Sequence, residues 1–185
     1  MGKINHKSYG KLIDEIFSQG DSRYFNNYSE SVMIDFLEKS AIEIERIDVS
    51  KFKKKPTKNE EDAISGPQKD LKFLTKSIFE EYGIYLEGFE KRYPFGVVDV
   101  MGKKDGKTIF VECGPCRIDK GFNYMRTEDA ELWVLTSELD LNSVGMQKVK
   151  LYTIKRGPNW QSTIKNYDEF RMHQLKKVKS PLDSL

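Results

Sequence analysis

The chain has 185 residues, 38% hydrophobic and 32% charged, with a net charge of +2, which suits one domain or a core of about 120 residues plus an extension. No stretch approaches the ~20 consecutive apolar residues of a membrane span, and the opening Met1-Gly2-Lys3-Ile4-Asn5-His6 carries no apolar signal run. The only two cysteines, Cys113 and Cys116, exclude a disulfide framework and point to a reducing cytoplasm, and with histidines only at His6 and His173 no zinc site is expected.

Residues 1–50 hold six Lys/Arg against nine Asp/Glu, a net of −3, so the remainder carries +5. Basic residues gather at Lys51, Lys53, Lys54, Lys55 and Lys58, and again at Arg171, Lys176, Lys177 and Lys179. Such runs suit phosphate contact and equally suit a solvated linker and a solvated helix face.

In chain order, Met33, Phe36, Leu37 and Ala41 recur at helical spacing over 29–41. Ile42-Glu43-Ile44-Glu45 alternates at period 2, so a strand after a shorter helix is the alternative there. Residues 1–50 are read as a mainly helical extension, and 51–65, charged and interrupted by Pro56, as a linker. Residues 66–185 form the α/β domain. Ser65-Gly66-Pro67-Gln68 has the form of a capping box with proline in the first turn. Leu71, Leu74, Thr75, Ile78 and Tyr82 make one helix face, which Gly83 ends. Strands follow at 84–90, 96–101 and 108–113, then a helix at 117–128, strands at 131–136 and 149–154, and a final helix at 161–178.

Asp105-Gly106 between two β-branched runs is a strong hairpin signal. A two-residue loop there pairs Lys104 with Lys107. Stepping outward five residues on each strand pairs Asp99 with Glu112. Directly opposed like charges destabilise a sheet unless compensated, and a divalent cation held by both oxygens would compensate. The same alternation also allows both acids to face solvent, with Val98, Val100, Val111 and Cys113 in the core. A three-residue loop would separate the pair.

The order helix, three strands, helix, strand over 66–137 resembles the core of the PD-(D/E)XK nuclease superfamily, which includes restriction endonucleases and archaeal Holliday-junction resolvases. Val98-Asp99-Val100 and Val111-Glu112-Cys113-Gly114 stand where the superfamily has its Asp and its Glu-X-Lys, over about 70 of the 185 residues. The resemblance implies a restriction-endonuclease-like αβββαβ core with a mixed sheet, an N-terminal helical extension and a C-terminal helix. It implies a metal-dependent nuclease acting on DNA, with Asp99, Glu112 and the carbonyl of Cys113 holding Mg²⁺ or Mn²⁺. Gly114 replaces the superfamily's lysine, and Lys120, with Arg117 second, is the candidate to supply that charge. Gln68 is a candidate polar neighbour of the metal. The alternatives are a catalytically inactive nuclease fold that binds nucleic acid or partners, and a thioredoxin-like dithiol at Cys113-Gly114-Pro115-Cys116. The helical extension suits a homodimer interface. Trp133 and Trp160 read as packing residues, while Tyr85, Phe89, Tyr93 and Phe95 beside Lys91 and Arg92 suit either nucleic acid or an ordinary sheet surface.

Overall fold

The structure is a computed structural model describing residues 6–18, 42–52, 64, 68–139 and 147–179. Its elements are α1 (His6–Ile16), β1 (Phe17–Ser18), β2 (Ile42–Ile47), a 3₁₀ turn (Ser50–Phe52), α2 (Lys69–Tyr82), β3 (Tyr85–Tyr93), β4 (Gly96–Lys104), β5 (Lys107–Cys113), β6 (Cys116–Arg117), α3 (Ile118–Arg126), β7 (Ala130–Leu139), β8 (Gln147–Arg156) and α4 (Trp160–Lys179). The helix read over 29–41 and most of the 51–65 linker lie outside the described residues.

Six strands form one mixed sheet in the order β2-β8-β7-β5-β4-β3. β5 and β7 are parallel, joined through β6 and α3, and every other pair is antiparallel. The class is therefore α/β with helices on both faces. On one face Leu71, Ile78 and Phe79 of α2 pack against Val100, Ile109, Val111 and Trp133. On the other, Ile13 and Ile16 of α1, Phe122 and Met125 of α3 and Trp160 of α4 pack against Val98, Phe110, Leu132 and Ile154. Both tryptophans are buried, and Trp133 meets Phe79 edge-on at 5.8 Å.

Local chemistry explains the segments that frame the site. Gly83 adopts φ 63°, and the next N–H, Ile84, donates to Phe79 O at 2.8 Å. That left-handed stop favours glycine, and it closes α2 with orphan carbonyls satisfied. The β4–β5 loop is the two-residue kind: Asp105 has φ 50°, Gly106 has φ 79°, and Lys104 pairs with Lys107. Positive φ at both positions matches the right-handed strand twist, which is why Asp-Gly selects this loop. The start of α2 differs from the capping-box expectation. Gln68 has φ 60° and ψ 36°, so it cannot lie inside a helix, and the first turn begins at Lys69 with no side-chain cap hydrogen bond.

The N-terminal segments join the same architecture. β2 pairs along its length with β8, from Ile42↔Arg156 to Ile47↔Leu151. β1 runs parallel to β6, with Phe17 opposite Cys116, and the Phe17 ring lies so close to Gly121 that a Cβ there would sit 2.6 Å from it. Residues 6–18 thereby brace the start of α3.

Candidate functional site

The β4–β5 ladder runs in register from Lys104↔Lys107 to Val100↔Val111, and the next positions outward are Asp99 and Glu112. There the strands depart from ordinary pairing. Val98 and Met101 lie in one core and Val100 in the other, so the alternation of β4 breaks around Asp99. In place of a ladder bond, the backbone N–H of Cys113 donates to Asp99 Oδ2 at 2.8 Å.

Glu112 points to the α3 face and is only 7% exposed. The reading in which both acids face solvent therefore does not describe Glu112. Its oxygens are each engaged: Lys120 Nζ donates to Oε2 at 2.6 Å, and the Tyr124 hydroxyl donates to Oε1 at 2.6 Å. Lys120 also donates to Val97 O at 2.5 Å and lies 5.7 Å from the centre of the Tyr124 ring. Tyr124 in turn stacks on Phe110 at 4.7 Å and meets Phe95 edge-on at 5.2 Å, which fixes the hydroxyl. Lys120 and Tyr124 stand four apart on α3, so one face of one helical turn supplies both donors.

The opposite face supplies a second cation. Lys72, in the first turns of α2, is completely buried and forms an ion pair with Glu90 of β3. Glu90 has φ 53°, the left-handed region that a non-glycine residue seldom adopts. The β3–β4 register, Lys91↔Val98 and Phe89↔Val100, puts Glu90 opposite Asp99. Gln68 packs over Gly114, where a Cβ would meet Gln68 Nε2 at 2.8 Å, and Gly114 itself has φ 113°. A side chain at 114 would therefore meet backbone strain, and the end of the Gln68 side chain would have to move aside for it. Beside Gly114 a cleft of about 380 Å³ opens between the first turn of α2 and the ends of β5 and β7, lined also by Pro115, Thr136 and Ser137.

Burial pushes the Asp99 carboxyl above its ordinary range, opposed by the Cys113 N–H and by the charges of Lys120 and Lys72, while Glu90 adds to the rise. Burial likewise raises Glu112, opposed by Lys120 and Tyr124 and reinforced by Asp99. The Tyr124 hydroxyl is pushed up by burial and by the Glu112 charge, so it stays protonated and remains a donor. Neither cysteine forms a disulfide and both are buried; burial, with Asp99 next in weight, drives the Cys113 thiol up. Dithiol chemistry draws on a thiol shifted the other way.

Of the residues singled out from sequence, Asp99, Glu112, Cys113 and Lys120 converge. Gln68 reaches the Gly114 side, and Arg117 stands exposed at the N-cap of α3. Of the basic runs, Lys51 lies 4.9 Å from the Phe52 ring centre. Lys53, Lys54, Lys55 and Lys58 lie outside the described residues, as do the side chains of Arg171, Lys176, Lys177 and Lys179. Sequence reasoning missed Lys72, Glu90 and Tyr124. For Lys72 there was a signal: it stands three residues before Thr75 and seven before Phe79, on the buried stripe of α2. Among the described residues no group of three or more His, Cys, Asp or Glu side chains is disposed to hold a metal ion, and no helix is long and apolar enough to cross a membrane. Comparison with protein-family models, with curated proteins and with solved structures gives no match for this chain.

Proposed function

We propose that this domain is a metal-dependent endonuclease-like protein that hydrolyses phosphodiester bonds in DNA, built on a PD-(D/E)XK-like core. The observation that carries the reading is the meeting of Asp99, Glu112 and Lys120 from β4, β5 and α3, with the Lys120 ammonium 2.6 Å from Glu112. That contact supports Lys120 as the displaced lysine when position 114 is glycine. Apart from the two-residue β6 between β5 and α3, the element order α2, β3, β4, β5, α3, β7 follows the order on which the resemblance rests, which supports the reading.

The donor set fits a hard cation through oxygen alone: the Asp99 and Glu112 carboxylates and the Cys113 carbonyl would hold Mg²⁺ or Mn²⁺, with water and substrate phosphate completing the shell. When bound, such an ion supplies charge neutralisation at a phosphate oxygen and acidifies water. The chain's own groups do the rest. The Cys113 N–H fixes the Asp99 rotamer, Tyr124 fixes Glu112, and Lys120 provides positive charge for the developing phosphorane-like oxygens. The cleft beside Gly114 gives the DNA backbone a path along the first turn of α2.

A second reading has its own observation. Both oxygens of Glu112 already accept hydrogen bonds from protein donors, and a closed network of that kind suits a non-catalytic nuclease fold that binds nucleic acid or partners. Incubation of plasmid and branched DNA with Mg²⁺ or Mn²⁺ separates the two. The hydrolase reading requires cleavage by wild type and none by Asp99→Asn. Retained DNA binding without cleavage under either metal selects the non-catalytic reading. Calorimetric titration tests the metal: equal Mn²⁺ binding by wild type and Asp99→Asn removes Asp99 from the ligand set.

A further inference from the structure

Three locally unfavourable features gather beside Asp99. Lys72 is a fully buried lysine, with no exposed side-chain surface. It stands in the first turns of α2, where the positive end of the helix dipole disfavours a cation. Its partner Glu90 holds a left-handed backbone conformation inside a strand. Folding alone does not ask for this arrangement, because a buried ion pair is commonly no more stabilising than apolar side chains of similar volume. Strained and costly local features of this kind concentrate where a site needs them.

Lys72, buried on α2, is paired with Glu90, which stands opposite Asp99 in the β3–β4 register, while Lys120 of α3 is paired with Glu112. The charges of both lysines act on Asp99, and that of Glu90 acts on it in the opposite sense. We infer that Lys72 is a built-in counter-charge of the Asp99–Glu112 pair, that Glu90 holds and partly screens it, and that the two together set the pair's affinity for a divalent cation. Lys72 is a positioning residue that acts through its field, and the inference rests on reading Asp99 and Glu112 as ligands of Mg²⁺ or Mn²⁺.

The two halves of the ion pair must then move metal affinity in opposite directions. Without the ammonium, Mn²⁺ faces one positive charge fewer and binds more tightly. Without the Glu90 carboxylate, the Lys72 charge acts on the site unscreened and Mn²⁺ binds more weakly. A purely structural ion pair would weaken binding whichever half is removed. The test is titration of the full chain with Mn²⁺ alone at one fixed pH, reading free Mn²⁺ by electron paramagnetic resonance. Lys72→Met should tighten binding on the order of tenfold, and Glu90→Gln should weaken it by several-fold, about threefold or more. Lys72→Gln, which keeps a hydrogen-bond donor for Glu90, must tighten binding too and serves if the methionine variant does not fold. Binding by Lys72→Met where wild type binds none counts as tightening. Unchanged affinity, weakening in both halves, or no Mn²⁺ binding by any of these proteins overturns the inference. Failure of the nuclease reading looks different: Mn²⁺ binds, the opposite signs hold, and DNA stays intact.

Discussion

Replacing Lys120 by methionine removes the charge and keeps most of the packing volume. The structure puts the Lys120 ammonium between Glu112 Oε2 and Val97 O, with 13% of its side chain and 9% of that of Glu112 exposed. Removing one partner of a buried pair costs about 3–5 kcal/mol. Here the Tyr124 hydroxyl still donates to Glu112, and the stranded carboxylate relieves its charge by taking up a proton, which places the loss near 3 kcal/mol. For a chain of this length that lowers the melting temperature by roughly 6–12 °C. Adding Glu112→Gln removes the stranded charge, so Lys120→Met with Glu112→Gln should recover most of the lost stability. Cleavage should fall by a factor of ~10² to 10³ in Lys120→Met and should not recover in the double variant. Thermal melting followed by circular dichroism and plasmid nicking under Mg²⁺ read the two effects separately. A Lys120→Met protein that melts within about 2 °C of wild type refutes the buried pair, and one that cleaves at the wild-type rate refutes the displaced lysine.

Three further outcomes are expected. Burial holds the folded Asp99 pKa above its ordinary 3.8, so ionisation opposes folding: the stability contribution is greatest below that value and is lost as pH rises through the folded pKa. Asp99→Asn should therefore melt higher than wild type at neutral pH in chelator, with the gain shrinking towards pH 3.8; a constant difference across that range contradicts the shift. Gly114→Lys should lower stability by roughly 1–3 kcal/mol through its positive φ and its encounter with Gln68, and should not restore cleavage to Lys120→Met; restoration would show that position 114 still reaches the site. Cys113→Ser with Cys116→Ser should leave the cleavage rate within about twofold, since the proposed ligand at 113 is a main-chain carbonyl, while denaturant melts show lower stability from two buried hydroxyls; loss of cleavage in a folded double variant would make the thiols part of the site.

What was legible in the sequence followed from local chemistry. Gly83 and Asp105-Gly106 demand particular backbone angles, and those angles fix the end of α2 and the β4–β5 register. The register then brought Asp99 and Glu112 to neighbouring positions. Strand ends were read short, because pairing continues through polar residues such as Lys103, Lys104 and Glu138, where no apolar pattern signals it. The capping box at Ser65 misplaced the start of α2, since nothing local announces that Gln68 turns left-handed. Tyr124 and Glu90 were beyond reach for another reason. Their roles depend on which helix crosses which strand, a matter of tertiary packing. Lys72 was not singled out, although its spacing to Thr75 and Phe79 placed it on the buried stripe.

The pairing of β2 with β8 bears on how the chain assembles. Every β2–β8 partner is more than 100 residues away along the chain, from Ile42↔Arg156 to Ile47↔Leu151, and Phe17 meets Cys116 across a gap almost as long. By contrast, β3, β4 and β5 are consecutive hairpin neighbours. Contacts between distant residues form late, because closing a long loop costs entropy before any pairing offsets it. During synthesis, then, the segments that emerge first wait longest for their partners. β3 to β5 can nucleate while 6–18 and 42–47 are still unpaired, and β2 gains its place only once β8 is complete. In the finished protein the same order appears in reverse: β2 amides should exchange with solvent ahead of those in β4 and β5.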